Sequence, residues 1–381
     1  MQFEYTDDQR LVIAGVREFA QGEIAPRARE MDEQATFAPG ILEQMRELGL
    51  FGAAIPESYG GIGVDTVTYA AIVEELAQAC GGVSIVLSVH TSVAAYALLL
   101  HGSEEQRRRF LPRMAAGEIG AFCLSEPAYG SDAGSIRTSA PRDGDHYVLN
   151  GQKVFVTNGQ IGRFYLVIAR TDPQAAPSHR GTSAFFVERD TPGLTMGRKE
   201  DKMGLRASDT MEVFFEDCRV PAANRLGEEG QGFKIAMHAL DSGRIGVGAQ
   251  ALGIATAAFE EARRYAKERQ QFGHPLVHFQ AIQNKLADMA TRLEAARLLV
   301  LHAAWLKDQG KPYTRAAAQA KLYASEMATW VTHQALQIHG GYGYMKEDPV
   351  ERYYRDARVT EIYEGTSEMQ RLVIARTLLM G

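Results

Sequence analysis

The chain has 381 residues, of which 45% are hydrophobic and 23% are charged, and its 41 basic and 47 acidic residues give a net charge of −6. This composition is typical of a folded globular protein with a large core, and the length predicts two to three domains. The acidic balance and the lack of a long basic run argue against nucleic acid as a partner.

The cysteines and the N-terminus indicate the compartment. Cys80, Cys123 and Cys218 are far apart and form no CxxC motif, so we expect buried thiols in a reducing environment. The acidic first residues resemble neither a secretory signal nor a transit peptide, which predicts a cytoplasmic protein, either a bacterial-type chain or an already processed form. The longest apolar stretch, taken as residues 245–259, is too short for a membrane span, so no membrane insertion is expected.

Residues 1–120 show helical periodicity and predict an all-α N-terminal domain. Asp7 or Asp8 is placed to cap the first helix. A short charged helix over residues 104–110 is expected to end before Pro112. The other predicted helices cover residues 42–48, 67–79 and 84–101.

Residues 121–230 contain short strands separated by Gly, Pro, Asp and Ser clusters and predict a middle antiparallel β domain. Residues 146–156 are predicted to form a hairpin around Asn150-Gly151, because this dipeptide favours a two-residue turn. Other strands are expected over residues 163–170, 182–188 and 211–220.

Residues 231–381 return to helical periodicity and predict a C-terminal four-helix bundle. Ser367 and Gln370 form a capping-box pattern before a last helix that ends near residue 379. The long helices are expected over residues 233–269, 280–309 and 313–339. The predicted fold class is therefore an α+β multidomain protein: an all-α domain, an antiparallel β domain and a four-helix bundle.

Several common catalytic motifs are absent from the sequence. No GxGxxG follows a predicted strand, no Walker loop is present, and Ser131 lies outside the GxSxG register of hydrolases. His274 and His278 are four residues apart, but Pro275 lies between them and no third ligand follows, so no metal site is predicted.

Two segments of the β domain carry residues suited to a cofactor. Residues 121–132 form a strand that leads into a Gly-rich and hydroxyl-rich loop, whose amides can bind an anion or the edge of a flat ring; an ordinary turn is the alternative. Alternation places Phe155 and Thr157 on the face opposite Val156, which suits stacking beside a cofactor or, equally, ordinary core packing.

The bundle carries two further features. On its first helix, Asp241 and Arg244 share a stripe and form either part of a site or a surface ion pair. Four glycines in this helix each cost about 1 kcal/mol relative to Ala, so a ligand or another helix must approach Gly243, Gly246, Gly248 and Gly253 closely. Before the last helix, Glu364 is either a base whose pKa is raised by burial beside a ligand or a solvated charge.

Taken in order, these segments are specific, and the chain resembles the acyl-CoA dehydrogenase family along essentially its whole length. It is similar above all to the short-chain, butyryl-type members. The matching motifs are Cys123-Leu124-Ser125-Glu126-Pro127 with Gly130-Ser131-Asp132, Asn150-Gly151 through Thr157-Asn158-Gly159, Lys202-Met203-Gly204 with Arg206, Arg269-Gln270-Gln271-Phe272-Gly273, Gln337 with Gly340-Gly341, and Tyr363-Glu364-Gly365-Thr366.

The resemblance implies a non-covalently bound FAD, a homotetramer built as a dimer of dimers, and an electron-transfer flavoprotein as electron acceptor. The implied enzyme is an acyl-CoA dehydrogenase of fatty acid β-oxidation that converts a short-chain or short branched-chain acyl-CoA to the trans-2-enoyl-CoA. Glu364 would remove the α-proton, and the β-hydrogen would leave as hydride to flavin N5. The amide of Glu364 and a ribityl hydroxyl of the flavin would polarise the thioester oxygen.

By residue match, the resemblance also assigns the other site residues. The cofactor-binding residues on the flavin and pyrophosphate side are Phe122, Leu124, Ser125, Gly130, Ser131, Phe155, Thr157, Thr366 and Glu368. The residues implied to reach the adenine half of FAD on a neighbouring subunit are Arg269, Phe272, Gln337 and Gly341. The implied substrate-binding residues are Val89, Ser92, Val93, Ser131, Asp241, Arg244, Tyr363 and Gly365.

Two positions refine this interpretation. Some family members take the base from the first bundle helix, at the position that Gly243 occupies here, so Glu364 is the only base candidate from either arrangement. Phe155 stands where many members carry Trp, which keeps a π-face but loses the indole N–H. The alternatives are a flavin oxidase of the same fold that uses oxygen, and a catalytically degenerate member that acts as a binding module.

Overall fold

The computed structural model describes residues 4–380, and its elements form three consecutive groups, helical, β and helical. This order confirms the predicted fold class. The first helices end at Ala115, β1 begins at Gly120 and the long helices begin at Gly232. We keep domain boundaries at 1–120, 121–230 and 231–381 as a proposal.

The N-terminal helices are α1 Asp7–Phe19, α2 Ala28–Gln34, α3 Ile41–Glu47, α4 Thr66–Ala79, α5 Gly81–Ser88, α6 Tyr96–His101 and α7 Glu104–Ala115. A π-helical stretch, Val89–Ala95, joins α5 and α6 into one rod. This rod, rather than residues 245–259, is the segment long and apolar enough to cross a membrane, and 83% of its most apolar window is buried inside the protein. Its apolar character is therefore that of a core helix.

Two helix ends differ from the prediction. The cap of α1 is Thr6, not Asp7 or Asp8, because the Thr6 hydroxyl accepts the Gln9 N–H at 3.2 Å and the Gln9 side chain accepts the Thr6 N–H at 2.9 Å. The predicted end before Pro112 is also wrong, since α7 continues to Ala115. Burial of the side chains around the proline outweighs the lost backbone hydrogen bond there.

The strands are β1 Gly120–Cys123, β2 Arg142–Asp143, β3 His146–Thr157, β4 Phe164–Arg170, β5 Thr182–Glu188, β6 Leu194–Lys199, β7 Thr210–Pro221 and β8 Arg225–Leu226. They form two sheets in the orders β1-β4-β5-β8 and β2-β3-β7-β6. Every pairing within these sheets is antiparallel except β1 with β4. The strands over 163–170, 182–188 and 211–220 are confirmed to within one residue at each end, and β6 was not predicted.

The predicted hairpin at Asn150-Gly151 is wrong, because β3 runs through it as one strand. Gly151 has φ +150° and marks a shift in the register with β7. A Cβ at this position would lie 2.7 Å from Oγ1 of Thr138. The glycine therefore lets the segment around Thr138 cross the strand closely, instead of turning the chain back.

The C-terminal helices are α8 Gly232–Glu268, α9 Gln280–Asp308, α10 Thr314–His339, α11 Val350–Arg358 and α12 Ser367–Met380, with a small hairpin, β9 Gln270–Gln271 and β10 His274–Pro275, after α8. The predicted capping box at Ser367 and Gln370 does not form. Thr366 accepts the Met369 N–H at 3.4 Å, and the Gln370 side chain turns back to the carbonyl oxygens of Glu364 and Gly365 instead.

The glycines of α8 are close-approach positions, as the sequence predicts. A Cβ at Gly253 would overlap the carbonyl oxygen of Glu74 on α4, and a Cβ at Gly246 would lie 2.5 Å from Ser88 Oγ. Sheet β1-β4-β5-β8 packs on α7 and on the start of α8 through a shared apolar cluster. The β domain, the α5–α6 rod and α8 therefore meet at one junction, where the candidate site lies.

Gly253→Ala should lower the free energy of unfolding by about 1–3 kcal/mol, because the added methyl group must displace α4. Gly15→Ala is the matched control, since nothing lies within 4 Å of a Cβ at this position in α1. The control should instead raise stability by up to about 1 kcal/mol. Thermal unfolding of both variants checks this, and equal shifts in one direction would contradict the close helix contact.

Candidate active site

Glu364 lies in a strained turn that directs its side chain against α8. Glu364 and Gly365 both have positive φ, +51° and +94°, and for the glutamate this conformation costs of order 1–3 kcal/mol. A Cβ built on Gly243 would overlap Oε2 of Glu364. The glycine therefore provides the space that the carboxylate occupies.

The Glu364 carboxylate is buried and has no hydrogen-bond partner for either oxygen within residues 4–380. Burial raises its pKa to about 7, while the charges of Lys321 and Arg244 act in the opposite direction. The alternative of a solvated loop charge is therefore wrong. A carboxylate with this pKa is half-ionised at neutral pH and is suited to general-base chemistry.

Lys321, which the sequence analysis did not single out, supports this turn. It is fully buried on α10, and its Nζ donates a hydrogen bond of 2.7 Å to the carbonyl oxygen of Gly365. Gln370 donates to the same oxygen at 2.8 Å and to that of Glu364 at 3.2 Å. Burial lowers the pKa of Lys321 to about 8. The signal in the sequence is one lysine on a helix face otherwise formed by small residues, among them those at positions 317, 324, 325 and 328.

Asp241 and Arg244 form an ion pair on α8, as their spacing suggests, but the pair is buried rather than on the surface. Thr314 donates to the second oxygen of Asp241 at 2.6 Å. Burial raises the pKa of Asp241, and Arg244 opposes this shift. Nε of Arg244 is buried without a hydrogen-bond partner among the described residues. Arg244 and Glu364 therefore both contribute buried polar atoms without hydrogen bonds to this region.

The α5–α6 rod faces α8 beside Glu364. Cγ2 of Val93 lies 3.1 Å from a Cβ position on Gly243, and one helical turn along, Ser92 Oγ and Tyr69 OH both lie 3.3 Å from a Cβ position on Gly246. Val89, also on the π-helical stretch, is buried. On the other side of the turn, the Tyr363 hydroxyl donates to Gln250. Val93 therefore lies beside the Glu364 carboxylate, and Ser92 lies about one helical turn away along α8.

Phe122 lies on β1, and the loop that follows this strand, which carries Leu124 and Ser125, is held by a buried charge. Lys153 on β3 donates to the Leu124 carbonyl oxygen at 3.0 Å and pairs with Glu126 at 2.9 Å. Burial would raise the pKa of Glu126, but Lys153 and donors from Thr138 lower it overall. Sequence reasoning missed Lys153, since a lysine inside an alternating strand is usually solvated.

The position of Phe155 decides between the two interpretations of its segment, stacking beside a cofactor and ordinary core packing. It is 69% exposed and has φ +58° at a register shift, while Val156 is fully buried and Thr157 is half-buried. Ordinary core packing therefore does not describe Phe155. Its exposed ring on an open face fits a flat aromatic ligand. Gly130 and Ser131, the other predicted cofactor residues of the β domain, lie on an exposed part of the loop after β1.

Four predicted cofactor residues lie in a different part of the chain. Arg269 lies over the Tyr342 ring at 5.3 Å, Phe272 is 91% exposed with φ +52°, and Gln337 and Gly341 are exposed. Arg269 follows α8, which places it roughly 39 Å along the helix axis from Gly243. These residues are therefore too far away to complete the same flavin pocket. Thr366 caps α12, and Glu368 is exposed on it.

The chain matches three family models in order. They are the N-terminal domain of acyl-CoA dehydrogenase over residues 6–118, its middle domain over residues 121–218 and its C-terminal domain over residues 230–379. A protein of Clostridium acetobutylicum named acyl-CoA dehydrogenase, short-chain specific, is 49% identical over 376 residues, 98% of this chain and 99% of that protein.

Two solved structures share the fold over the full length of both chains. Butyryl-CoA dehydrogenase from Megasphaera elsdenii has a TM-score of 0.97 and 47% identity, with 100% of each chain covered. A chain from a study of the electron transferring flavoprotein of Acidaminococcus fermentans has a TM-score of 0.98 and 48% identity, again with complete coverage.

Replacing Lys321 by Met should raise the pKa of Glu364 by about one unit, because an opposite charge that favours the carboxylate is removed. The carboxyl group would then stay protonated to higher pH. The pH-dependent infrared band of the protonated carboxyl group, identified by its loss in Glu364→Gln, measures this shift. Lys321→Arg keeps the charge and is the control; an unchanged pKa in Lys321→Met would contradict the electrostatic coupling.

Proposed function

Because the chain belongs to the acyl-CoA dehydrogenase family, we propose that it oxidises a short-chain or short branched-chain acyl-CoA to the trans-2-enoyl-CoA. The observation that carries the proposal is the Glu364 carboxylate, which is buried, lies against Gly243 and has no hydrogen bond from any residue that the structure describes. Such a group is a base that lacks a hydrogen-bond partner among residues 4–380. A substrate that brings an acidic C–H to it would supply the missing partner.

FAD is the cofactor of this family and supplies the hydride acceptor. The residues proposed to hold its flavin ring are Phe122, Leu124, Ser125, Phe155 and Thr157. The fit rests on the exposed ring of Phe155 and on a β1 loop held rigid by Lys153. Rigid supports of this kind keep a cofactor in one orientation relative to the reacting carbon.

Proton abstraction is the step that the protein itself performs. The α-proton of a thioester is too weakly acidic for a free carboxylate, so the carbonyl oxygen must be polarised as charge develops on it. We assign one donor to the backbone N–H of Glu364, carried by the same left-handed turn as the base. Exclusion of water by the bound substrate raises the basicity of the carboxylate further.

The proposed preference for short chains rests on the distal wall of the site. Ser88, Ser92 and Tyr69 crowd against Gly246, three residues from Gly243 along α8. Three residues of helix correspond to about 4.5 Å, roughly the length of a few C–C bonds. A four- to six-carbon acyl group, straight or branched, is therefore the proposed substrate.

The electron-transfer flavoprotein as acceptor, fatty acid β-oxidation as the pathway and the homotetramer belong to the same proposal. The first is supported by the likeness to a chain from the study of the Acidaminococcus fermentans flavoprotein. Assembly is supported by the distance between the residues near Arg269 and the catalytic turn. Exposed Phe272 and its neighbours would then meet the FAD of a second subunit.

Glu364→Gln should abolish the anaerobic bleaching of the flavin by butyryl-CoA, with a loss of at least about 10²-fold in rate, because the amide cannot accept the α-proton. Glu326→Gln, at a partly exposed glutamate on α10 that pairs with Arg371, is the control and should bleach normally. Bleaching retained in Glu364→Gln would refute the base assignment. Rapid reoxidation of the reduced wild-type protein by oxygen would favour the oxidase, and a colourless protein the binding module.

Arg269→Ala should lower the FAD content and weaken subunit association together, if this residue reaches the cofactor of a neighbouring subunit. The ratio of flavin to protein and sedimentation velocity measure the two effects. Arg263→Ala, at an exposed arginine near the end of α8, is the control. An unchanged flavin content in Arg269→Ala would count against the contact across the subunit interface.

A further inference from the structure

Three potential metal ligands meet beside the C-terminal end of α8. They are Glu261 on α8, His339 at the end of α10 and Asp348 in the loop before α11. One ligand atom from each, a carboxylate oxygen or an imidazole nitrogen, lies within 4.8 Å of the other two. Glu261 follows Gly243 on the same helix, roughly 27 Å further along its axis. The cluster is therefore separate from the candidate active site.

His339 distinguishes this cluster from an ordinary group of acidic side chains. It is 3% exposed, and its Nδ1 lies 2.8 Å from the carbonyl oxygen of Ala335. Because a carbonyl oxygen only accepts hydrogen bonds, Nδ1 carries a proton, and Nε2 of the neutral ring has a free lone pair. Nε2 is buried and has no hydrogen-bond partner among residues 4–380. A carbonyl oxygen on the other ring nitrogen is the arrangement that orients metal-bound histidines.

The lone pair of Nε2 faces the Asp348 carboxylate. The distance from Nε2 to Oδ2 of Asp348 is 3.7 Å, whereas a charge-assisted hydrogen bond measures about 2.7–2.9 Å. Oδ1 of Asp348 accepts the Val350 N–H at 3.1 Å. Zinc bonds of about 2.0–2.2 Å place a nitrogen and an oxygen on neighbouring tetrahedral corners about 3.4 Å apart. The observed separation is therefore closer to that of a shared metal ion than to that of a shared proton.

The local charge also favours a cation. Glu261, Glu268 and Asp348 contribute three carboxylates, and Arg264 pairs with the first two. Within the described part of the chain, no lysine or arginine pairs with Asp348. A metal ion would take Glu261 from Arg264, whose side chain is 55% exposed and still holds Glu268 at 2.7 Å. The exchange therefore leaves no charged group without a partner.

We propose that Glu261, His339 and Asp348 bind a Zn²⁺ ion, with water in the fourth position. One imidazole and two carboxylates are ligands that zinc accepts in tetrahedral sites. The sequence indicated no metal site, because these ligands come from three elements that are far apart along the chain. The ion joins the ends of α8 and α10 to the segment that carries exposed Tyr342 and Tyr344. This inference does not depend on the proposed function.

Zinc binding to the flavin-containing protein tests the assignment. After treatment with a chelator, isothermal titration should show one Zn²⁺ bound per chain, and saturating zinc should raise the Tm. Asp348→Asn and His339→Ala should each weaken zinc binding at least about tenfold. Glu268→Gln removes a neighbouring carboxylate that is not a proposed ligand, so this matched control should bind zinc normally. X-ray absorption at the zinc edge should show one imidazole in the first coordination shell.

The exposed pair His274 and His278, whose rings stack at 6.0 Å, is the competing zinc site. His274→Ala/His278→Ala should therefore retain the binding. If His339→Ala does not fold, Asp348→Asn decides, because the amide keeps the shape of the side chain and an acceptor for the Val350 N–H. Normal binding by Asp348→Asn, or loss of binding in the His274→Ala/His278→Ala variant, would overturn the assignment. So would the absence of zinc binding by the wild type, a result that favours a protonated His339 beside Asp348.

Discussion

The apposition of the Glu364 carboxylate and the bare backbone of α8 at Gly243 is the constraint on which the rest of the site depends. A buried carboxylate without hydrogen bonds is unfavourable, and its turn has a conformation that glutamate rarely adopts. The surrounding structure must therefore hold the turn in place. Any side chain at residue 243 would displace the carboxylate, so the glycine of α8 and the proposed base depend on each other.

Two buried lysines stabilise the two sides of the site in the same way. Lys321 donates to the carbonyl oxygen of Gly365 beside the base, and Lys153 donates to that of Leu124 in the β1 loop. Each lysine has a carboxylate nearby, Glu364 and Glu126, so the charge is compensated while the ammonium group orders a loop. The two carboxylates differ in hydrogen bonding: both oxygens of Glu126 accept hydrogen bonds, whereas neither oxygen of Glu364 has a partner among the described residues.

Charge is distributed locally rather than over the whole surface. The positive groups nearest Glu364 are Arg244 and Lys321, which are buried and already paired or hydrogen-bonded. They lower the pKa of Glu364 and contribute little to attracting an anion from solvent. Beyond the C-terminal end of α8 lie the exposed residues around Phe272 and Tyr342, far along the helix from Gly243.

The sequence by itself determined the order of the three parts, the long helices and most of the strands, because periodicity and helix propensity are local properties. It also indicated that the glycines in α8 mark positions of close approach. It also placed Glu364, Asp241 and Phe155 in their segments. Tertiary structure decided what those residues do. Burial of Glu364 and of the Asp241–Arg244 pair, the strand that runs through Gly151, and the roles of Lys321, Lys153 and Gln370 all depend on chain segments far apart in sequence. Desolvation and close packing arise only when such segments meet, and no local pattern records which ones will.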